Sequence, residues 1–149
     1  MKRLIIVAAL LLVFAPKHVR AQTSADSAAV IRAARDYLEG FYEGDADKLR
    51  RSVRPNVAKF GLWRPKDKTI FEPDSMSYAE FISYADNFKK NKRTTPATAP
   101  REVKIIDLLD HTAVAKVTAW WGTDYLTIAK FGDSWMIQHV LWQSFPPKP

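Results

Sequence analysis

Hydrophobic residues recur at helical spacing in the first part of the chain. From Ser24 or Asp26, apolar residues return every three or four positions, which predicts a helix that ends at Gly44. Asp45 then caps a short second helix, which must end before Pro55 because proline lacks the backbone N–H that a helix uses. The apolar positions of the first helix are Val30, Ala34, Tyr37, Leu38 and Phe41.

A third helix is predicted to begin at Ser77, where two side chains can pair with the free backbone N–H groups of the first helical turn. Ser77 and Glu80 have the spacing of a capping box, in which each side chain accepts a hydrogen bond from a free backbone N–H. The basic residues 89–93 follow its last turn, where cations complement the helix dipole. Before this helix, Val57–Trp63 and Thr69–Glu72 have the composition of short strands around a polar turn.

From Glu102 onward the hydrophobic period changes from about 3.6 to two. This pattern predicts four strands, which are Val103–Leu109, Thr112–Trp121, Asp124–Phe131 and Ser134–Trp142. The connections are short enough for tight antiparallel hairpins, with turns at residues 110–111, 122–123 and 132–133. The predicted fold class is therefore α+β, with three helices wrapped by one curved, mainly antiparallel sheet and a cavity between the two layers.

Strict alternation along the last strands assigns their side chains to two faces. With the last two turns taken as two-residue turns, Trp121 and Trp135 lie on the apolar face that meets the helices, together with two polar residues, Asp124 and His139. The opposite face is polar in the middle and carries an apolar group of residues at one end. That group is Trp120, Tyr125, Val140 and Trp142.

Asp124 and His139 are polar residues on a face that otherwise predicts a core. Burying a carboxylate costs several kcal/mol unless it is paired. Two interpretations remain open. In the first, Asp124 either pairs with the imidazole of His139 or lines a cavity together with it. In the second, Asp124 has a structural role and accepts hydrogen bonds from backbone N–H groups. Under the first interpretation these two residues are the candidates for a catalytic base.

The N-terminus has the layout of a secretory signal peptide. A basic start at residues 1–3 precedes an apolar run of 12 residues, Leu4–Ala15, and the small side chain of Ala21 lies where a signal peptidase reads. A membrane-spanning helix is the alternative, but it needs roughly 20 apolar residues. We therefore expect cleavage between Ala21 and Gln22, a single domain at residues 22–149, and a periplasmic or extracellular location without membrane attachment.

Removing residues 1–21 also changes the charge of the protein. The full chain has 23 basic and 16 acidic residues and a net charge of +7. The segment contains four basic residues and no acidic one, so 19 basic residues and a net charge of +3 remain. No aromatic residue is interleaved with the basic cluster at 89–93, so nucleic acid is not an expected partner.

The residue types that are missing exclude several chemistries. The chain has no cysteine, which excludes disulfides, thiol nucleophiles and cysteine-based zinc sites. Only His111 and His139 remain after cleavage, so we expect neither a histidine-rich metal site nor a bound cofactor. Glycine-rich phosphate loops, nucleophile elbows and HExxH motifs are also missing from the sequence.

Two segments resemble a known family. Residues 37–59, YLEGFYEGDADKLRRSVRPNVAK, and residues 124–142, DYLTIAKFGDSWMIQHVLW, are similar to the putative lumazine-binding family. That family belongs to the nuclear-transport-factor-2-like (NTF2-like) superfamily, which includes ketosteroid isomerases and polyketide cyclase-like proteins. The resemblance covers about residues 27–143. It implies a cone-shaped α+β fold with a pocket at the open end, in many members dimeric through the outer sheet face.

The residues and the resemblance together favour an exported, non-catalytic protein that binds a flat heteroaromatic molecule. An isomerase- or cyclase-like enzyme with Asp124 or His139 as general base, and with Tyr37 or Tyr84 as a donor, is the alternative. For three aromatic residues of the predicted site, Tyr37, Phe41 and Phe60, simple core packing is the alternative. The predicted ligand-binding residues are Tyr37, Phe41, Phe60, Trp121, Asp124 and His139.

A third hypothesis concerns self-association. An exposed apolar group on one sheet face is typical of an interface, and a two-fold axis needs only one self-complementary surface. We therefore expect a homodimer through the outer face. The alternative is that the tail at residues 145–147 or the segment Val57–Glu72 covers this group within one chain. The residues of the expected interface are Trp120, Tyr125, Val140 and Trp142.

Overall fold

The computed structural model describes residues 17–66 and 68–146. The first sixteen residues of the predicted signal peptide lie outside the described part of the chain, and no helix within the described part is long and apolar enough to cross a membrane. The elements in chain order are α1 (Lys17–Glu43), α2 (Ala46–Ser52), β1 (Val53–Trp63), β2 (Glu72–Ser75), α3 (Tyr78–Lys90), β3 (Glu102–Leu108), β4 (Thr112–Ala119), β5 (Gly122–Phe131) and β6 (Ser134–Gln143).

The three predicted helices are present, and two of their caps are confirmed. Asp45 caps α2 by accepting from the backbone N–H groups of residues 47 and 48, and Ser77 with Glu80 forms the complete capping box of α3. Gly44 follows α1 with a positive φ of 66°. The predicted start of α1 at Ser24 or Asp26 is wrong, because the helix begins at Lys17 and no glycine or proline interrupts it before residue 40.

Asp26 therefore lies inside α1, where its side chain joins the helix to the sheet. Its Oδ1 accepts a hydrogen bond from Lys130 Nζ at 2.8 Å and another from Trp135 Nε1 at 3.0 Å. All three side chains are largely buried. The contact fixes the N-terminal part of α1 against β5 and β6.

The six strands form one curved sheet with the order β2-β1-β6-β5-β4-β3. All neighbouring pairs are antiparallel except β1 and β6, which are parallel. The helices cover the inner face, where the core includes Leu126, Ile128 and Ile137. The architecture is the predicted α+β cone. The two short strands differ from prediction, because β1 begins already at Val53 and β2 is displaced to Glu72–Ser75.

One of the predicted hairpin turns lies elsewhere. Ala119 pairs with Gly122, so the turn between β4 and β5 consists of Trp120 and Trp121, not of residues 122–123. Gly122 has φ of 143°, and a Cβ at this position would lie 2.0 Å from the carbonyl oxygen of Gln143. Only glycine fits this close approach. Because the turn moved by two residues, the predicted faces of β4 and β5 are unchanged.

The face assignment is wrong for the end of β6. Phe131 pairs with Ser134 as predicted, but Ile128 pairs with Ile137 while Thr127 pairs with His139, so Gln138 is an extra residue in a β-bulge. The bulge reverses the orientation of every later side chain in the strand. His139 and Leu141 therefore face outward, whereas Val140 and Trp142 face the helices.

The bulge lies beside an irregular stretch of the neighbouring strand. The parallel pairing of β1 with β6 shifts between Val53 and Ala58, a stretch that contains Pro55. Proline cannot donate to the sheet ladder, so it occurs at such irregular positions. Gln138 Nε2 donates to the carbonyl oxygen of Asn56 at 3.5 Å, which links the two irregularities.

Candidate functional site

A pocket of about 140 Å³ lies between the helices and the end of the sheet that carries the Trp120–Trp121 turn. Its walls are mostly aromatic, and two charged side chains reach it. Its lining residues, which define the Lys59 pocket, are Phe41, Lys59, Asp74, Met76, Tyr84, Trp120, Trp121 and Trp142. Most ligand pockets for drug-sized molecules hold roughly 300–1,000 Å³, so this pocket suits a small molecule of one or two rings.

Lys59 gives the pocket its cationic group. It alternates with outward-facing residues along β1 and points to the helix side of the sheet. Its Nζ donates a hydrogen bond to the Tyr37 hydroxyl at 3.0 Å. Four ring centroids lie within 6 Å of Nζ, the distance at which aromatic faces attract a cation. The rings are those of Phe41 at 5.0 Å, Phe81 at 5.3 Å, Tyr37 at 5.5 Å and Trp142 at 5.6 Å.

Asp124 lies behind the pocket wall. Its side chain is fully buried, and its Oδ2 accepts a hydrogen bond from Trp121 Nε1 at 3.0 Å. Its Oδ1 makes no hydrogen bond of ordinary geometry, although the Tyr37 hydroxyl lies close enough to interact with the carboxyl group. The carboxyl group therefore positions Trp121 and does not line the pocket itself.

Burial sets the protonation behaviour of this group of residues. Desolvation raises the pKa of Asp124 above its ordinary value, although the charge of Lys59 and the donors of Trp121 and Tyr37 act against it. Desolvation also lowers the pKa of Lys59, and here the negative charges of Asp124 and Asp74 act against it. The pKa of Tyr37 is raised well above 10.0 by burial and by the neighbouring Asp124, so this hydroxyl stays protonated.

Tyr42 holds the Trp120–Trp121 turn in place. Its hydroxyl accepts a hydrogen bond from the Trp120 backbone N–H at 2.8 Å and donates one to the carbonyl oxygen of Pro100 at 2.6 Å. The Trp121 ring packs edge-on against Tyr42 and Phe41, with centroid distances of 5.5 and 5.6 Å. One wall of the pocket is therefore fixed from both α1 and the loop before β3.

Gly61 fixes the opposite wall. It pairs with Trp142 across the parallel strands, and a Cβ on residue 61 would lie 2.2 Å from the Cδ1 and Nε1 atoms of that indole. The indole of Trp142 therefore lies directly against the backbone of β1 at residue 61, next to Lys59. A side chain at residue 61 would occupy the space of the indole.

The structure brings together four of the six predicted ligand-binding residues. Phe41 and Trp121 line the pocket, while Tyr37 and Asp124 are buried directly behind it. The predicted pair of Asp124 and His139 does not exist, because the bulge turns His139 to the outer face, where its Nδ1 lies 3.0 Å from Thr127 Oγ1.

Phe60 is the other predicted residue outside the pocket. It lies on the outer face because Lys59 and Gly61, its neighbours in β1, are the residues that face inward.

Lys59 is the most important of the pocket residues that the sequence did not predict. It belongs to a strand whose apolar residues, Phe60 and Leu62, favour the opposite orientation, so the alternating pattern hides it. A weak signal was present in Gly61, because a glycine inside a strand indicates that another group approaches the backbone closely. Asp74 and Met76 were missed because β2 begins three residues after its predicted start.

The described part of the chain contains no group of three or more histidine, aspartate or glutamate side chains that could hold a metal ion. The lining residues of the pocket offer one amine, one carboxylate and several aromatic ring faces. Such a surface can stack on a flat molecule and hydrogen-bond to polar atoms at its edge.

Comparison with protein families finds one match. The sequence profile described as "Putative lumazine-binding" matches residues 25–143, which is most of the chain. Among curated proteins, none matches this sequence.

Solved structures with the same fold are numerous. The chain is similar to an NTF2-like protein of unknown function from Silicibacter pomeroyi DSS-3, with a TM-score of 0.62 and 19% identity over 83% of this chain and 98% of that one. It is also similar to an NTF2-like protein of unknown function from Shewanella baltica OS155, with a TM-score of 0.61 and 16% identity over 89% and 100% of the two chains.

A further similar structure is the putative scytalone dehydratase from Novosphingobium aromaticivorans DSM 12444, with a TM-score of 0.55 and 10% identity over 85% and 88% of the two chains. At these identities the similarity establishes the NTF2-like fold, and the function has to be argued from the site.

Proposed function

The chain belongs to the putative lumazine-binding family, and from this premise we propose that it is an exported, non-catalytic protein that binds a small flat heteroaromatic molecule in the Lys59 pocket. The observation that supports this most strongly is the position of Lys59, whose ammonium group lies among aromatic rings at the inner end of the pocket. A flat ligand stacks on Trp121 or Trp142, and Lys59 Nζ donates to a ring carbonyl or an anionic oxygen of the ligand.

Lys59 and Asp74 replace Asp124 and His139 in this proposal. Asp74 is exposed at the edge of the pocket and accepts a hydrogen bond from a ring N–H. Lumazine-like molecules carry both ring carbonyl and ring N–H groups, which fits one donor and one acceptor at the ends of an aromatic slot. The burial of Asp124 favours binding over catalysis, because a general base must come within about 3 Å of the proton it removes.

Titration with lumazine tests the proposal, with intrinsic tryptophan fluorescence as the signal. Lys59→Met removes a charged donor, and we expect a loss of affinity of about tenfold or more because hydrogen bonds to charged groups contribute about 1.5–3 kcal/mol. Lys104→Met is the matched control, because Lys104 is exposed on β3 and should leave the affinity unchanged. If lumazine, flavins and steroids all fail to bind or to raise the melting temperature of the folded protein, the proposal is wrong.

An isomerase- or cyclase-like enzyme is the second candidate, because Tyr37, Lys59 and Asp124 converge as a hydroxyl, an amine and a carboxyl group. Such an enzyme would use Asp124 as the base once the Trp121 side chain moves aside. Asp124→Asn would then abolish turnover of a steroid or ketone substrate while the circular dichroism spectrum stays unchanged. Turnover that persists in this variant would remove the candidate.

We also propose that the protein forms a homodimer through the outer face, with a contact surface that differs from the predicted one. Val140 is buried, Trp142 faces the pocket, and Trp120 lies in the turn after β4 and lines the same pocket, so none of these three predicted residues contributes. Instead Tyr125, Leu141 and Phe60 lie side by side on three neighbouring strands, with exposures of 47%, 56% and 50%. We refer to these three residues as the outer apolar row.

The outer apolar row remains exposed in the single chain. Neither β1 and β2 nor the described tail through residue 146 covers it. Changing Leu141 to Glu, at the centre of the row, should yield a folded monomer by light scattering because a buried charge opposes association. Trp63→Glu is the matched control on the same strand as Phe60. A wild-type protein that is monomeric at high micromolar concentration would contradict the homodimer.

Export is the remaining part of the proposal. Three sequence features support it: the basic start at residues 1–3, the apolar run Leu4–Ala15 and the small side chain of Ala21. Mass spectrometry of the protein recovered from the periplasm or the medium should give a chain that begins at Gln22. A full-length chain that stays in the cytoplasm would contradict this expectation.

A further inference from the structure

Lys59 differs chemically from an ordinary ligand-binding lysine. Its amine lies in an aromatic enclosure and makes its one side-chain hydrogen bond with a neutral hydroxyl, that of Tyr37. No carboxylate oxygen of the described residues lies within ion-pair distance of its Nζ. A desolvated lysine without a close counter-charge holds less of its proton and becomes a nucleophile.

We propose that Lys59 is a nucleophilic amine that reversibly captures a small aromatic aldehyde or ketone as an imine inside the Lys59 pocket. This inference rests on the proposed function to the extent that both use the same pocket. It adds a covalent step and a ligand class, namely flat ring systems that carry a carbonyl group outside the ring.

The reaction balances without any co-reactant. The lone pair of Nζ forms a bond with the carbonyl carbon, and the C=O π pair moves to oxygen, which takes up a proton to give a carbinolamine. The hydroxyl group then takes a second proton and leaves as water while the C=N double bond forms. Carbonyl compound and amine thus give imine and one water molecule, and the protons that Nζ loses equal those that the oxygen gains.

The neighbours of Nζ suit each stage of this reaction. The Tyr37 hydroxyl lies 3.0 Å from Nζ, with the Asp124 carboxyl behind it, so this hydroxyl can relay a proton between Nζ and the leaving hydroxyl. When the imine nitrogen is protonated, its positive charge lies where the ammonium charge was. The faces of Phe41, Phe81 and Trp142 then stabilise the iminium ion as they stabilise the ammonium form of Lys59.

The geometry of the pocket limits what can react. A volume of about 140 Å³ admits one ligand of one or two rings above the amine, with the ring held between aromatic walls. Exposed lysines such as Lys104 lack both the enclosure and the neighbouring hydroxyl. The titratable groups around Lys59, from each element that borders it, are Tyr37 on α1, Asp74 on β2, Tyr84 on α3 and Asp124 on β5.

Reductive trapping tests the inference on the whole protein. The chain is incubated with 6-formylpterin and sodium cyanoborohydride, which reduces an imine to a stable secondary amine, and the modified lysines are located by peptide mass spectrometry. We expect one pterin per chain at Lys59, attached on the order of tenfold faster than at Lys104. Lys59→Met should remove this label, and Lys104→Met should leave it unchanged.

Two further measurements distinguish the reaction from general lysine chemistry. The rate of labelling at Lys59 should reach its plateau below pH 10.5, the ordinary pKa of a lysine amine, because burial lowers the pKa of Lys59. Tyr37→Phe should slow labelling of Lys59 several-fold and leave labelling of Lys104 unchanged. Equal labelling rates at Lys59 and Lys104 would overturn the inference.

The alcohol, 6-hydroxymethylpterin, separates this inference from the proposed function. If the alcohol binds in the Lys59 pocket but 6-formylpterin leaves Lys59 unlabelled, the imine is refuted and the binding function stands. If the alcohol does not bind and Lys59 is not labelled, the imine is refuted, and the proposed function is refuted with it when lumazine, flavins and steroids also fail to bind. Selective labelling of Lys59 together with binding of the alcohol supports both.

Discussion

Replacing Gly61 by alanine tests the packing that forms one wall of the Lys59 pocket. The new methyl group would lie 2.2 Å from two atoms of the Trp142 indole and 2.5 Å from a third. Ordinary contacts between such atoms need about 3.5 Å or more, so the rigid ring has to retreat by more than about 1 Å. The backbone of Gly61 does not have a positive φ, so the steric overlap alone decides the cost.

The expected magnitude is that of an overpacked core. Inserting a methyl group into a well-packed site costs typically 1–3 kcal/mol, and here it also pushes Trp142 into the pocket. Urea unfolding followed by circular dichroism should therefore show a free energy of unfolding that is lower by about 1–3 kcal/mol with an unchanged m-value. The affinity for a flat ligand should fall in the same variant.

A second substitution, Trp142→Ala, tests whether the loss of stability comes from the overlap with the Trp142 ring. Trp142→Ala removes the ring that the new methyl group meets, so adding Gly61→Ala to it should cost less than about 0.5 kcal/mol. Gly132→Ala is the matched control, because nothing lies within 4 Å of its Cβ and only its φ of 61° is unfavourable. If Gly61→Ala is as stable as the wild type, or if it costs the same with and without Trp142, the packing argument is refuted.

Three further predictions concern side chains that hold the site and its frame, each measured by urea unfolding. Asp26→Ala leaves the buried ammonium of Lys130 without its acceptor and should cost about 3 kcal/mol, of which the double variant with Lys130→Met should recover a large part. Ser77→Ala removes the capping box of α3 and should cost about 1 kcal/mol, and no loss would contradict the role of the cap. Asp124→Asn keeps an acceptor for Trp121 Nε1 and should change stability by less than about 1 kcal/mol, whereas Asp124→Ala should cost about 1–3 kcal/mol because that donor is left unpaired. Since burial raises the pKa of Asp124 above 3.8, the folded state holds this proton more tightly than the unfolded state. Stability should therefore fall as the pH rises from 3.8 through the folded pKa, and Asp124→Asn should remove this part of the pH dependence.

The segments with strong local signals were predicted well from the sequence. Ser77 and Glu80 are close in the chain and satisfy each other, so the start of α3 depends on no distant residue. The turn at residues 132–133 is similar, because its glycine adopts the positive φ that a tight turn needs. Trp121 and Asp124 were also placed on the correct face, because moving a turn by two residues preserves the alternation.

The candidate site was predicted only in part, because one extra residue in β6 decides which side chains reach it. Strict alternation from residue 134 places His139 inside and Trp142 outside, and the bulge at Gln138 exchanges them. A bulge depends on the neighbouring strand as well as on its own sequence. The neighbour here is β1, which lies some eighty residues earlier in the chain and pairs in parallel with an irregular stretch around Pro55.

The sequence by itself determined the class of the fold, the helix caps, the number of strands after Glu102 and the aromatic character of the pocket, because these depend on residue type and on spacing over a few positions. Only the tertiary structure decided that Lys59 points inward and that Trp142, not His139, stands beside it. The local pattern of β1 favours Phe60 inside, because burying a phenylalanine side chain is favourable whereas burying an amine costs free energy. The parallel pairing with β6 fixes the register of the whole strand, and with the Trp142 ring lying over Gly61 it turns Lys59 toward Tyr37 and Asp124.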